Sequence, residues 1–213
     1  PKYLFSGIDV FALMAVPFFI LAAELMTGGS LSEALLRFAS QFVGRYRGGL
    51  GHTNILAITF FSGISGSALA AAAGPGAIMI RMMKKDGYRA EYAAALTAAV
   101  SILGPIIPPS ISMIVYALAY PEINLVGLMI AGVVPGLVIA IAMALINHVT
   151  SVRRNYRGVH ETLSLRDYLR NTWHAIPALV LPVLILGGIA SGAFTPTEAS
   201  VVVPSPVVST STW

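Results

Sequence analysis

The sequence predicts an all-α membrane protein: polytopic helices, a re-entrant helical hairpin, and one discontinuous transmembrane helix broken by prolines. Three observations carry this prediction. Hydrophobic residues make up 56% of the 213-residue chain and charged residues 10%, where a soluble domain is about 25% charged. The mean hydropathy is +0.80, which also excludes disorder. The few charges sit between long apolar stretches instead of being spread along the chain. There is no cysteine, so a disulfide framework, a thiolate metal site and a cysteine nucleophile are excluded. Four scattered histidines do not make a zinc site. The net charge of +4 suggests no nucleic-acid partner, because the basic residues lie only between apolar stretches.

Four stretches, 48–80, 92–121, 123–152 and 171–197, contain no Asp, Glu, Lys or Arg. Each exceeds the roughly 20 apolar residues that a membrane-spanning helix needs. A fifth, 10–23, reaches span length with Ile8, Leu25 and Met26. Helices are expected because open sheet edges do not survive in lipid and the alternation of a barrel strand is missing.

The basic residues fall at Arg45/Arg47, Lys84/Lys85/Arg89, Arg153/Arg154/Arg157 and Arg166/Arg170. Short loops with such a bias face the cytoplasm. If every apolar stretch crossed once, Arg45 and Lys84 would lie on opposite faces. The conflict disappears if 48–81 is a re-entrant hairpin, with legs 51–62 and 67–80 and a tip at Gly63-Ile64-Ser65-Gly66. Legs of 12–14 residues are too short to span at about 1.5 Å per residue. The domain reading is then a transmembrane helix and an interfacial amphipathic arm in 1–47, and a transport-type core in 48–150. That core holds the hairpin, a broken helix 89–120 and a transmembrane helix 124–150. A basic cytoplasmic linker at 151–174, a transmembrane helix at 175–200 and an atypical tail at 201–213 complete it. Ser30-Leu31-Ser32-Glu33 reads as a capping box opening the arm helix 31–43, with Leu31, Leu35, Phe38 and Phe42 on one face. Leu163, Leu165, Tyr168 and Leu169 suggest a short surface helix in the linker.

Two segments place irregular backbone at membrane depth. One is Ser62-Gly63-Ile64-Ser65-Gly66-Ser67, the other Gly104-Pro105-Ile106-Ile107-Pro108-Pro109-Ser110. Proline removes amide donors and disfavours helix at the residue before it, while Ser110 can cap a new half-helix. Such breaks survive only where protein or a watery cavity satisfies the freed backbone. The half-helices ending at each break present carbonyls, which suit a hard cation such as Na⁺. Those beginning at Ser67 and Ser110 present N–H groups, which suit an anion. The candidate Na⁺ ligands are therefore Gly63, Ser65, Gly66, Ser67, Gly104, Pro105, Ile107 and Ser110. Asn54, Thr97, Ser101, Pro108 and Pro109 are candidates for lining a substrate path. For Asn54, Thr97 and Ser101 the competing reading is a helix–helix hydrogen bond. Na⁺ is the one small cofactor this reading asks for.

An enzymatic alternative is an intramembrane serine protease of the rhomboid-like type, since Gly63-Ile64-Ser65-Gly66 matches G-x-S-G. That chemistry needs an imidazole within reach of Ser65. His52 precedes it by 13 residues on the same leg.

The strings Phe60-Phe61-Ser62-Gly63-Ile64-Ser65-Gly66-Ser67-Ala68, Lys84-Lys85-Asp86-Gly87-Tyr88 and Gly104-Pro105-Ile106-Ile107-Pro108-Pro109-Ser110 resemble the large membrane subunit (DctM-like) of tripartite ATP-independent periplasmic (TRAP) transporters. So do Pro17-Phe18-Phe19-Ile20-Leu21-Ala22, Gly48-Gly49-Leu50, Ala131-Gly132 with Pro135-Gly136, and Phe194-Thr195-Pro196-Thr197-Glu198-Ala199. The resemblance covers about residues 8–200. It implies one half of an inverted-repeat, elevator-type transporter, a multi-pass protein of the bacterial inner membrane. It also implies sodium-driven import of an organic acid anion such as a C4-dicarboxylate or sugar acid. The implied partners are a periplasmic binding protein (DctP-like) and a small membrane subunit (DctQ-like). The sequence departs from the family pattern at Ala71, where Asp is usual, at Arg81, where Pro is usual, at Gly74-Pro75-Gly76 and at Glu24. The missing Asp removes an ion or proton ligand at that position. The match is expected to stop after Ala199. The chain reads as the first half of a large subunit and is expected to be inactive in transport by itself.

Overall fold

The computed structural model describes residues 30–120, 122–158 and 164–190. The expected first transmembrane helix, Glu24, the 194–199 motif and the 201–213 tail lie outside the described residues. Among those described, the chain is all-helical, as the composition predicts.

Helix α1 (Ser30–Val43) puts Leu35, Leu36 and Ala39 fully or almost fully inside, packed on α2 and α8. Glu33 pairs with Arg37 one turn on, at 3.2 Å. The apolar face read for a membrane-surface arm is thus covered by protein along most of its length, with Phe42 left 41% exposed at its end.

Helix α2 (Gly49–Ser65) runs three residues past the expected end of its leg. Its 17 residues make about 25 Å at 1.5 Å per residue. The ladder closes with the Gly66 N–H on the Ser62 carbonyl at 3.1 Å, and Gly66 takes the left-handed conformation with φ 59 and ψ 13. Glycine adopts that conformation without steric cost. The tip is therefore Gly66-Ser67, narrower than the Gly63–Gly66 tip read from the sequence, because Gly63, Ile64 and Ser65 remain helical.

The returning leg is not one helix. It comprises α3 (Ala68–Ala71), a π-helical turn (Ala72–Gly76) and α4 (Ala77–Lys85). Pro75 has no N–H, and Gly74 leaves helical geometry at φ −80, ψ −105. The extra backbone is absorbed as a π turn. Proline in Gly74-Pro75-Gly76 was the available signal.

Helix α5 (Ala90–Ser101) and helix α6 (Ile111–Ala119) flank the second break, where the sequence put it. Helix α7 (Leu125–Arg153) is a continuous 29 residues. Pro135 falls inside it without splitting it. Among the described residues, α7 is the helix long and apolar enough to cross a membrane. Helix α8 (Leu165–Ala190) starts ten residues before the expected boundary at 174/175, so the surface helix read in the linker and the apolar stretch after it are one element. Its Tyr168 ring lies edge-on to Phe42, centroids 5.8 Å apart.

The register of α7 against the rest sets the depth of everything else. Near its C-terminal end, Asn147 and Ser151 abut Gly48 and Gly51 at the start of α2. The Asn147 amide donates to the Gly48 carbonyl at 3.2 Å. Nearer its N-terminal end, Gly132 and Gly136 lie against Ile106 and Ile107 of the second break. The chain leaves α4 at the same end at which it entered α2: Tyr88 stacks on Tyr156 at 4.0 Å, and Tyr156 follows α7 directly. The N–H of Gly48 donates to the Tyr156 carbonyl at 3.2 Å. Loops 44–48, 86–89 and 154–158 thus share one end of the bundle.

Candidate ion and substrate site

The two breaks meet. A Cβ on Gly66 would stand 2.5 Å from the Pro109 carbonyl oxygen and 3.0 Å from the Ile111 nitrogen. A Cβ on Gly104 would stand 2.6 Å from the Ser67 carbonyl carbon and 2.7 Å from the Ala68 nitrogen. Real Cβ atoms do not come that close, so both positions require glycine for backbone approach. The arrangement is crossed. The C-terminal end of α2 faces the start of α6, and the backbone after α5 faces the start of α3. Carbonyl-rich and N–H-rich ends therefore alternate around one small region.

The serines there are engaged locally. Ser67 caps α3, its hydroxyl accepting from the Ala70 N–H at 3.4 Å. Ser65 accepts from the Ser67 N–H at 3.5 Å. Ser110 caps α6, accepting from the Met113 N–H at 3.3 Å and donating to the Pro105 carbonyl at 2.8 Å. A hydroxyl or carbonyl oxygen has two acceptor positions, so Ser65, Ser67, Ser110 and Pro105 each keep one after these bonds. Ser65, Gly66, Gly104, Pro108, Pro109 and Ser110 are buried, and Ser67, Pro105 and Ile107 half-buried. Ser62 was not among the candidate ligands. Its Oγ is buried with no hydrogen-bond partner among the described residues, and three residues before Ser65 it shares that helix face. Its spacing was the signal that would have found it.

Asn54 and Thr97 lie elsewhere, between α2 and α5, while Ser101 ends α5 at the edge of the second break, its carbonyl accepting from the Gly104 N–H at 3.0 Å. The Asn54 amide donates to the Thr97 hydroxyl at 2.8 Å, and the Ser101 hydroxyl donates to the Thr97 carbonyl at 2.8 Å. All three are buried. Gly76 of the π turn packs on Thr97, with 2.6 Å from a hypothetical Cβ to Cγ2. The Asn54–Thr97 bond and the Gly76–Thr97 contact form a strut that ties the hairpin to α5, while the Ser101 bond stays within α5. Ala71, one of the departures from the family pattern, is fully buried at the start of the π turn.

The His52 ring lies near that of His148, tilted by 40° with centroids 5.9 Å apart. Along α2 it lies 13 residues from Ser65, about 20 Å. Neither imidazole serves Ser65 as a base.

The chain matches the family described as "Tripartite ATP-independent periplasmic transporter, DctM component" over residues 1–207. The match therefore continues past Ala199. It is 41% identical to the sialic acid TRAP transporter large permease protein SiaM of Vibrio cholerae over 94% of this chain and 47% of that one. It is 40% identical to the C4-dicarboxylate TRAP transporter large permease protein DctM of Pseudomonas aeruginosa, over 93% and 46%. It is 37% identical to the 2,3-diketo-L-gulonate TRAP transporter large permease protein YiaN of Escherichia coli, again over 93% and 46%. The chain spans about half the length of the curated relatives it matches. These relatives are permeases, which removes the protease alternative.

Proposed function

Because the chain belongs to the DctM family of TRAP transporter large permeases, we propose that it supplies one hairpin and one broken helix to a sodium-coupled importer of an organic acid anion in the bacterial inner membrane. The observation that carries this reading is the crossed contact of the two breaks at Gly66 and Gly104. Backbone carbonyls following α2 and α5, with the Ser65, Ser67 and Ser110 hydroxyls, make a hard-oxygen environment that suits Na⁺. The N–H groups at the start of α6, capped by Ser110, suit a carboxylate. The substrates in the three relatives' names all carry carboxylate groups, and this chain takes a substrate of that class. Pro108 and Pro109, at the crossed contact, are assigned to the lining of the substrate path. Asn54 and Thr97 act from behind the contact, by fixing the hairpin to α5, and Ser101 bonds back within α5.

The hairpin 49–85 is re-entrant from the cytoplasmic face. In support, the loops before α2, after α4 and after α7 meet at one end, and that end carries the basic clusters. A periplasmic binding protein delivers the anion, and a small membrane subunit flanks the permease. The full-length permease, reconstituted with a matched binding protein and small subunit, takes up organic acid anion under an inward Na⁺ gradient. Uptake of equal rate with Na⁺ replaced by K⁺ on both sides would overturn the coupling.

A further inference from the structure

We propose that the basic end of the bundle is a binding site for an anionic phospholipid headgroup, with the lipid's acyl chains running along α7. Three loops distant in sequence are held together there. Tyr156 fixes them: its ring stacks on Tyr88 at 4.0 Å, its hydroxyl accepts from the Arg89 N–H at 3.3 Å, and its carbonyl accepts from the Gly48 N–H at 3.2 Å. Gly158 lies against the Arg45 and Tyr46 carbonyls. The clamp gathers Arg45, Arg47, Lys84, Lys85, Arg153 and Arg157, all exposed. The acids beside them are Asp86 in the loop and Glu91 in the first turn of α5, and Glu91 is already paired with Arg89 at 3.3 Å. Rigidly gathered like charges repel, and an anion that bridges them offsets that repulsion. Guanidinium groups suit phosphate geometry in particular.

The outer face of α7, turned away from the Asn147 and Ser151 face on which the chain at Gly48 packs, says which anion. Leu145, Val149 and Val152 are exposed at 63%, 49% and 43%. At spacings of four and three they form one face of α7 that runs up to Arg153. Charge at the end of an exposed apolar stripe complements a headgroup joined to acyl chains, where a free phosphate would leave the stripe unused. The inference needs α7 to sit in the bilayer, as the proposed function does, but neither sodium coupling nor transport.

The test is lipid retention. The protein at its native length is placed in nanodiscs with equal phosphatidylglycerol and phosphatidylcholine, then released and read by native mass spectrometry. Phosphatidylglycerol adducts should exceed phosphatidylcholine adducts several-fold. The combined substitution Arg45→Gln, Arg47→Gln, Arg153→Gln and Arg157→Gln should bring the ratio toward one with an unchanged circular dichroism spectrum. Lys84→Gln with Lys85→Gln, in the last turn of α4, should lower it independently and serves if the first variant misfolds. Equal retention of both lipids by the unaltered protein, or a ratio unmoved in both variants, would overturn the proposal. So would loss of the enrichment in inorganic phosphate but not in chloride of equal ionic strength, since that marks a free-anion site. Failure here with intact Na⁺-dependent uptake would leave the transport reading standing.

Discussion

Gly66 lies so close to Pro109 that a Cβ there would stand 2.5 Å from the proline's carbonyl oxygen. This contact joins the hairpin tip to the broken helix, and it depends on glycine twice over. Gly66 has a positive φ of 59 and no room for a methyl group. Gly66→Ala should therefore incur about 1 kcal/mol for the left-handed backbone and about 1–3 kcal/mol for overpacking. Gly87 separates the two terms, since its φ is 85 and nothing lies within 4 Å of its hypothetical Cβ. Gly87→Ala should show the backbone cost alone. Thermal midpoints that fall equally in the two variants would show that the tip is not in close contact with Pro109.

The strut behind the contact is tested by a double-mutant cycle. Thr97→Val keeps shape and removes the acceptor of the buried Asn54 amide, which should destabilise by about 1–3 kcal/mol. Asn54→Ala should destabilise similarly. The two together should cost less than their sum by at least about 0.5 kcal/mol, because they remove one shared interaction. Strict additivity would mean the 2.8 Å bond contributes nothing.

The breaks were legible in the sequence because proline and glycine act locally. Pro105, Pro108 and Pro109 end α5 whatever surrounds them, and Ser110 caps α6 as its type and position foretold. Narrower features depend on tertiary partners. Gly63 and Ser65 look like loop residues in isolation, yet they stay helical because α2 is buried on all sides at that depth. The π turn comes from Pro75, a residue whose neighbours in sequence are all small and apolar and so hid its effect. That α8 runs unbroken from Leu165 was missed because Arg166, Asp167 and Arg170 read as a basic linker with its own short surface helix, though they can occupy the first turns of a long helix. That the two breaks touch is a fact of packing between segments some 40 residues apart, and a single sequence carries no such distance.

Topology follows from the shared end of the bundle. Single cysteines at Arg47 and Lys84 should react with a membrane-impermeant maleimide from the same side, the cytoplasmic one. Reaction from opposite sides would mean that 49–85 crosses the membrane instead of re-entering it.

The basic end also has a pH signature. Burial, the largest cause, together with the nearby Asp86 carboxylate, pushes the Tyr88 hydroxyl well above its ordinary value. A raised folded-state value means the folded protein holds this proton more tightly than the unfolded chain does. The stabilisation from neutral Tyr88 is then complete below the unfolded value, about pH 10, and is lost as pH rises beyond it. Melting followed between pH 8 and pH 11 should show a midpoint that falls above about pH 10. Tyr88→Phe, which keeps the stack on Tyr156, should flatten that fall. An identical alkaline fall in the variant would assign it to other groups.

The last prediction concerns the cation. If carbonyls following α2 and α5 hold Na⁺ with help from hydroxyls, the hydroxyls tune affinity while the backbone supplies the site. Ser65 and Ser67 make their local bonds at 3.5 and 3.4 Å, long enough that each oxygen has little to lose by turning to an ion. Ser110 is different. Its 2.8 Å bond to the Pro105 carbonyl and its cap on α6 make Ser110→Ala a folding variant first, with a cost of about 1 kcal/mol for the lost cap. In the full-length permease, Ser65→Ala or Ser67→Ala should raise the Na⁺ concentration for half-maximal uptake several-fold at normal expression, Ser65→Ala with little change in melting and Ser67→Ala with a loss of about 1 kcal/mol for its cap on α3. Ser62→Ala should behave like them if its unpartnered Oγ faces the ion, and should instead be neutral or slightly stabilising if it does not, because it removes a buried unsatisfied hydroxyl. Unchanged Na⁺ dependence in Ser65→Ala and Ser67→Ala together would place the coupling ion away from the hairpin tip.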